Sequence, residues 1–403
     1  MSRFSARFLT ICLALARRMR RRRPSEQYPV RRLLVAHYLL LGDTILLAPL
    51  LAKLASSYPE AERILLARPA VVPLFEGRPW GFRALPYDPR DFSTLLPLLQ
   101  SGPFDLACVL GDNRYAWLAR AIGARWIVGF GDDRPAWKNW MLDVAHVFPA
   151  SPASLADIMA NLVPGPEPTP FRPGAWPAPL FSASALPEGC YVVLHVGAST
   201  PLKLWSPERW MALAEALLSD GLTPVWSAGP GEATYVDHID PGRRYRRYCG
   251  TLDLAGLWQL LAGARLLVCP DTGVAHLGKV VGVPTVALFG PGSADIYGAG
   301  SFWCAAPYRA MVAPDIPCRN QNLLFRRQID WVRRCGRSVD ACLRASAGLT
   351  QDGEATACMS AIALDQVLEA CRQLAVPNPL PKSCYRSDQR SWGQSCQHDE
   401  SRP

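Results

Sequence analysis

Apolar runs of four to six residues recur along the chain, each closed by a polar or glycine-bearing turn. Residues 33–36, 64–67, 106–110 and 126–130 make a first series, and 191–194, 223–226, 264–268 and 284–289 a second. Stretches with helical apolar spacing separate them. Largely apolar runs of this length fit strands buried on both faces, as in a parallel sheet covered by helices. Ten prolines between Pro149 and Pro187, with little periodicity, read as a linker between the two series. The pattern predicts an α/β chain of two Rossmann-like, doubly wound halves with a central cleft between them. Its expected parts are a basic amphipathic N-terminal segment (1–32), a first domain (33–150), the proline-rich linker (151–187) and a second domain (188–305). A helical C-terminal region (306–378) and a disordered tail (379–403) follow.

The densest polar signal is Cys269-Pro270-Asp271-Thr272-Gly273-Val274-Ala275-His276. It sits between run 264–268 and a helical pattern, and run 284–289 then ends at Gly290-Pro291-Gly292. This is one βαβ unit with its polar residues at the carboxyl end of a strand, where open parallel sheets bind ligands. Thr272 and Gly273 fall at a helix N-terminus, whose unpaired N–H groups and dipole favour a phosphate. His276 lies one turn on, on the same face. Taken singly, these residues read as an N-cap and a core histidine; as a set they point to an anion site. Gly229-Pro230-Gly231-Glu232 is another strand-end turn, suited to lining a nucleoside or simply to linking strand and helix.

Charge changes the picture only at one end. The net charge is +9, and residues 1–32 carry all of it, with ten arginines against the single acid Glu26. The other 33 basic and 33 acidic residues balance, so the body lacks the bias of a nucleic-acid binder. Phe4, Phe8, Ile11, Leu15 and Met19 form one helical stripe, with Arg3, Arg7, Arg17 and Arg21 on another face. Such a helix is too short in apolar length to span a bilayer, and suits the interface of an anionic membrane. A plain basic tail is the rival reading, and a signal peptide a weaker one, because the arginine cluster after Ala16 opposes export. Thirteen cysteines without a Cys-x-x-Cys pair argue against a structural zinc site, and their odd count points to a reducing cytoplasm.

In order, four segments resemble glycosyltransferase family 9, the bacterial lipopolysaccharide heptosyltransferases. They are Leu41-Gly42-Asp43-Thr44-Ile45-Leu46-Leu47-Ala48-Pro49-Leu50, the stretch from His195 to Trp210, Asp271 to Leu277, and Leu288-Phe289-Gly290-Pro291. The likeness runs over roughly residues 33 to 375. It implies a GT-B fold whose first domain takes the acceptor and whose second takes a nucleotide sugar. It further implies inverting sugar transfer from a nucleoside diphosphate donor, ADP-heptose in this family, to a lipid-linked saccharide on the inner face of the inner membrane. Asp43 becomes the candidate base, with a helix N-cap as its ordinary alternative. Lys203 and Ser199 become phosphate ligands beside Thr272, Gly273 and His276, and Asp271 an acceptor for sugar hydroxyls. No Asp-x-Asp occurs, so the usual carboxylate pair for a divalent ion on a diphosphate is missing, and a metal-independent enzyme without cofactor is expected.

Two departures stand out. Leu39-Leu40 replaces the small polar residue expected before Leu-Gly-Asp, which leaves His37 or Tyr38 to assist the acceptor. Cys318, Cys335, Cys342 and Cys358 are spaced more widely than the compact cysteine group of many relatives, and take no role from it. A nucleotide-sugar epimerase and a membrane-docked, non-catalytic sugar-nucleotide binder remain as alternatives.

Overall fold

The structure, a computed structural model, describes residues 3–19, 29–181, 186–313, 316–346 and 355–375. The expected tail at 379–403 and the arginines at 20–23 lie outside the described residues. Two six-stranded, all-parallel sheets form the frame. The first comprises β1 (Arg32–Ala36), β2 (Glu62–Ala67), β3 (Arg83–Pro86), β4 (Phe104–Val109), β5 (Ala124–Phe130) and β6 (Val144–His146), in the order 3-2-1-4-5-6. The second comprises β7 (Tyr191–His195), β8 (Thr223–Ala228), β9 (Arg246–Cys249), β10 (Leu266–Pro270), β11 (Thr285–Phe289) and β12 (Tyr308–Val312), in the order 12-11-10-7-8-9. Both are doubly wound, with switch points between β1 and β4 and between β7 and β10.

All eight apolar runs fall on strands. The four strands without such a run, β3, β6, β9 and β12, are the edges of the two sheets. An edge strand is buried on fewer sides, and each of these four consists of exposed or half-buried residues with at most one fully buried. A short, half-wet strand leaves no apolar run to read.

Two stretches differ from expectation. Residues 151–187 hold the helix Leu155–Ala160, N-capped by Ser154, and bury Phe171 and Trp176. Trp176 Nε1 donates to the Leu74 carbonyl at 2.9 Å, while Asp157 accepts from Ser301 and Phe302 N–H groups at 2.7 and 3.1 Å. The proline-rich stretch therefore binds the halves together; its prolines hid that packing by breaking the periodicity. Residues 306–378, read as helical, also supply β12 and a small hairpin, Leu323–Leu324 with Arg327–Gln328. Phe325 and Arg326 turn that hairpin with φ of 46° and 61°, left-handed values that no glycine advertised. Behind the turn, the buried Arg327 guanidinium donates to the carbonyls of Gly131, Gly111, Phe325 and Phe130 at 2.7, 2.7, 3.0 and 2.9 Å. A segment beyond the second sheet is thus bonded to strand ends of the first.

The helix Arg3–Met19 lies against the helix Arg114–Ile122 of the first half. Ala14 is fully covered there, and Arg17 donates to the Ala121 carbonyl at 2.5 Å. The apolar stripe points away from the protein, with Phe8 71% and Met19 85% exposed and Ile11 and Leu15 half exposed. Trp137 and Trp140 are also exposed, pack on Trp117 of the supporting helix, and sit near Arg18, which reaches Met141.

The halves meet most closely where the short helix Leu41–Ile45 approaches the helix Gly273–Val281. A Cβ on Gly42 would lie 2.7 Å from His276 Cδ2 and 3.2 Å from Gly273 Cα; one on Gly273 would lie 3.1 Å from Gly42 N. Glycine is required on both sides because backbone meets backbone. Gly42→Ala should overpack this contact and cost about 1–3 kcal/mol, seen as a lower midpoint in thermal melting; a melting curve that overlays the parent's would contradict it. Arg327→Met keeps the stem but strips four carbonyls of their charged donor, and should cost about 3 kcal/mol in urea unfolding. An unchanged urea midpoint would show that the hairpin clamp contributes nothing.

Candidate functional site

The expected site residues arrive at the contact between the halves from the carboxyl ends of β1, β7 and β10. Asp43 follows β1 in the first turn of the helix Leu41–Ile45. Leu40, not Asp43, occupies the N-cap position, so the carboxylate is not used up in capping. Burial and then the nearby Asp271 raise the Asp43 carboxyl to about 6, against the opposing pull of Lys203, Arg334 and Arg68.

Lys203 is held in the turn Pro201–Lys203 after β7, begun by Thr200, whose hydroxyl accepts from Leu202 N–H. Its ammonium bonds Asp271 twice, at 2.9 Å to the carboxylate and 2.5 Å to the backbone carbonyl. Asp271 ends the β10 turn and is buried, whereas Lys203 keeps 22% of its side chain exposed. A cation clamped by a buried carboxylate yet open on one side is placed to meet a second anion. Ser199 is exposed in the loop leading to this turn.

Thr272 takes the N-cap position of the helix Gly273–Val281, but its hydroxyl makes no cap bond. Thr272 Oγ1 and His276 Nδ1 are both buried and have no partner among the described residues. Burial, then Lys279 and Lys203, hold the His276 imidazole well below its usual range, so it is neutral. Two unpaired polar atoms over one helix start are costly unless a ligand completes them. The ordinary reading of this stretch, a satisfied cap and a satisfied core histidine, does not describe it.

The turn at 229–232 is closed by Glu232, whose carboxylate accepts from Gly229 N–H at 2.6 Å. It fills the space over Gly197 as well, where a Cβ would come within 1.8 Å of Oε2. Glu232 therefore sits between the ends of β7 and β8. His37 does not suit an acceptor role: it is fully buried, its Nδ1 accepts from Leu39 N–H at 3.1 Å, and burial, then the Arg68 charge, lower it to about 3. The Tyr38 hydroxyl donates to Asp88 at 3.1 Å.

Two cations near Asp43 were not anticipated. Arg68 follows β2, stacks on the Tyr38 ring and donates to the Leu39 carbonyl. Its strand-end position could have flagged it. Arg334 comes from the C-terminal segment, pairs with Gln321 through backbone bonds, and hydrogen-bonds the Tyr297 side chain. Nothing local in the sequence marks Arg334, because only the long return of the chain brings it to the cleft.

The model of glycosyltransferase family 9 (heptosyltransferase) matches residues 95–301, about half of the chain. Lipopolysaccharide heptosyltransferase 1 of Pseudomonas aeruginosa is 35% identical over 120 residues, 29% of this chain and only 33% of that protein. Lipopolysaccharide heptosyltransferase 3 of Escherichia coli is 23% identical over 317 residues, covering 70% of this chain and 92% of that one. Among solved structures, the E. coli ADP-heptose lipopolysaccharide heptosyltransferase II superposes with a TM-score of 0.62 at 18% identity, over 86% of this chain and 98% of that one. The fold is GT-B, with two doubly wound sheets facing a cleft, and the chain belongs to glycosyltransferase family 9, the heptosyltransferase family.

Proposed function

We propose that the chain transfers a heptose, with inversion and without a catalytic metal ion, from ADP-heptose to a lipid-linked saccharide of the lipopolysaccharide core. The observation that carries this reading is the pairing of Asp43, on the first half, with the Lys203–Asp271 clamp and the open helix start on the second. The donor choice draws on the solved relative whose title names ADP-heptose.

In this reading the acceptor hydroxyl attacks the anomeric carbon from the Asp43 side and gives its proton to the Asp43 carboxylate. The bond from that carbon to the diphosphate oxygen breaks, and its electron pair stays on the departing diphosphate. Lys203, the Gly273 end of the helix dipole and Thr272 Oγ1 meet that charge, fixed in place before the reaction. His276, neutral, adds a polar contact, and Ser199 closes the exposed side. Asp271 accepts from sugar hydroxyls on its free lone pairs, and Glu232 lines the nucleoside end. Arg68 and Arg334 keep Asp43 from being protonated at neutral pH, and present positive charge to the acceptor.

The outward stripe of the helix Arg3–Met19 fits peripheral attachment at the cytoplasmic face of an anionic membrane. Each arginine near such a surface contributes about 1 kcal/mol. Phe8, Ile11, Leu15, Met19 and the neighbouring Trp137 and Trp140 provide the apolar contact, which would bring a lipid-linked acceptor to the first half.

Three outcomes follow. Asp43→Asn should lower kcat by about a hundredfold or more, the contribution of a general base, while ADP binding stays within about twofold; normal turnover would remove Asp43 from the mechanism. Activity of the parent should fall as pH drops through about 6, where Asp43 takes up its proton, and a pH profile flat from 5 to 8 on the ~1-unit scale of such shifts would contradict that assignment. Phe8→Asp with Leu15→Asp should weaken sedimentation with anionic vesicles at low salt and leave the melting curve unchanged. Equal sedimentation of parent and variant would mean that the stripe does not touch lipid.

A further inference from the structure

Behind the open helix start lies a charge that the proposed transfer does not use. Lys279 stands on the helix Gly273–Val281, about one turn past His276, and only 1% of it is exposed. Its side-chain nitrogen donates to the Gly298 carbonyl at 2.7 Å and to the Tyr297 carbonyl at 3.3 Å, and sits 4.5 Å from the centre of the Tyr308 ring. Those carbonyls close the one-turn helix Ala294–Tyr297, whose last acceptors suit a lysine.

The turn that Lys279 holds belongs to the donor side. It leaves β11 through Gly290-Pro291-Gly292, and a Cβ on Gly292 would lie 2.3 Å from Asp271 Oδ2, the oxygen that also accepts from Lys203. Just beyond it, the Ser301 and Phe302 N–H groups are bonded to Asp157. Lys279 and Asp157 thus anchor the far end of a loop whose near end presses on the carboxylate that clamps Lys203.

Several groups face this amine. Asp271 and Cys269 come from the end of β10, Asp157 from the helix Leu155–Ala160, His276 from its own helix and the Tyr308 ring from β12. Burial lowers the Lys279 amine to about 7, against the pull of Asp271, Asp157 and Cys269. After burial, Lys279 is also the first charge that depresses His276, ahead of Lys203. Its hydrogen bonds go to carbonyls, not to a carboxylate, so its charge is not cancelled at contact distance.

We propose that Lys279 is a positioning residue for donor binding, which fixes the loop 290–298 against Asp271 and takes up a proton when a nucleoside diphosphate settles on the helix start; this rests on the reading of the cleft as a nucleotide-sugar site. In the free protein the amine loses its proton as pH rises through about 7. Gly273 lies six residues away, about 9 Å along the helix axis. At that distance, in an effective dielectric of about 20, each phosphate charge raises an amine by about one pH unit. The arriving anion therefore favours the charged form, and one N–H bond forms with a proton drawn from solvent. By linkage, the contribution of Lys279 to donor affinity is full below about 7 and is lost as pH rises through the higher value of the bound state.

The test is calorimetric titration of the full chain with ADP, UDP and GDP at pH 8, in two buffers of different ionisation heat, which counts the protons exchanged on binding. The parent should take up about half a proton with whichever nucleotide binds. Lys279→Gln keeps a donor for the two carbonyls but removes the titrating amine, and its uptake should be near zero. The affinity gap between parent and variant should narrow from about tenfold at pH 6.5 to about twofold at pH 8.5. Equal uptake in both proteins, or a gap that pH does not change, would overturn the role of Lys279 and leave the donor site standing. Uptake with UDP or GDP and no binding of ADP would support Lys279 and move the donor away from ADP-heptose. Failure of the parent to bind any of the three would contradict both. Should Lys279→Gln fail to fold, carbon-13 NMR of the five lysines of the parent decides instead. One lysine should titrate near 7 in the free protein and hold its proton to higher pH with nucleotide bound; if none titrates below the usual lysine range, Lys279 has no such role.

Discussion

Everything proposed for this protein depends on a backbone contact. Gly42 and Gly273 allow two helix starts, one from each half, to approach until only hydrogen atoms fit where side chains would be. That approach places Asp43, one residue past Gly42, beside the residue that precedes Thr272 in the β10 turn. The two carboxylates, Asp43 and Asp271, repel each other there, and Lys203 offsets both. A base whose carboxyl is raised to about 6 and a cation clamped for an arriving phosphate are two results of one close contact. The glycines contribute no chemistry of their own, yet they set the distance at which the chemistry is possible.

The C-terminal segment makes that contact durable. Arg327 bonds strand-end carbonyls of the first sheet, Arg334 reaches the neighbourhood of Asp43, and Thr356 Oγ1 donates to the Leu202 carbonyl in the Lys203 turn of the second half. The proline-rich stretch does the same from another side through Trp176 and Asp157. These links cross from one half to the other, so opening of the cleft must either strain them or pivot around them. Cleft enzymes gate turnover through such closures. The buried, hydrogen-bonded character of the Arg327 cluster makes it a fixed point rather than a sliding surface.

How much was legible in the sequence follows from burial. Central strands such as β1, β7 and β10 are covered on both faces and appear as plain apolar runs; the edges β3, β6, β9 and β12 are half wet and do not. Asp43, Lys203 and Asp271 lie at strand ends, where parallel sheets present function, and the resemblance to the family singled them out there. Arg334 and Arg327 could not be found this way, because their meaning comes from contacts with residues far away in the chain. The N-terminal helix was partly legible: the stripe was visible in the sequence, but its orientation was not. Only the covered Ala14 and the exposed Phe8 and Met19 show that the apolar side faces outward.

The most direct test of the central claim is calorimetric titration of the parent chain and of Lys203→Ala with ADP, UDP and GDP, with no divalent ion added. The account predicts selective binding of ADP by the parent and a loss of at least tenfold with Lys203→Ala, as expected when a charged hydrogen bond to phosphate worth about 1.5–3 kcal/mol is removed. Preference for UDP or GDP would keep a nucleotide cleft but move the donor away from ADP-heptose. Absence of binding to all three, or equal ADP affinity in the variant, would contradict the assignment of this contact as the donor site.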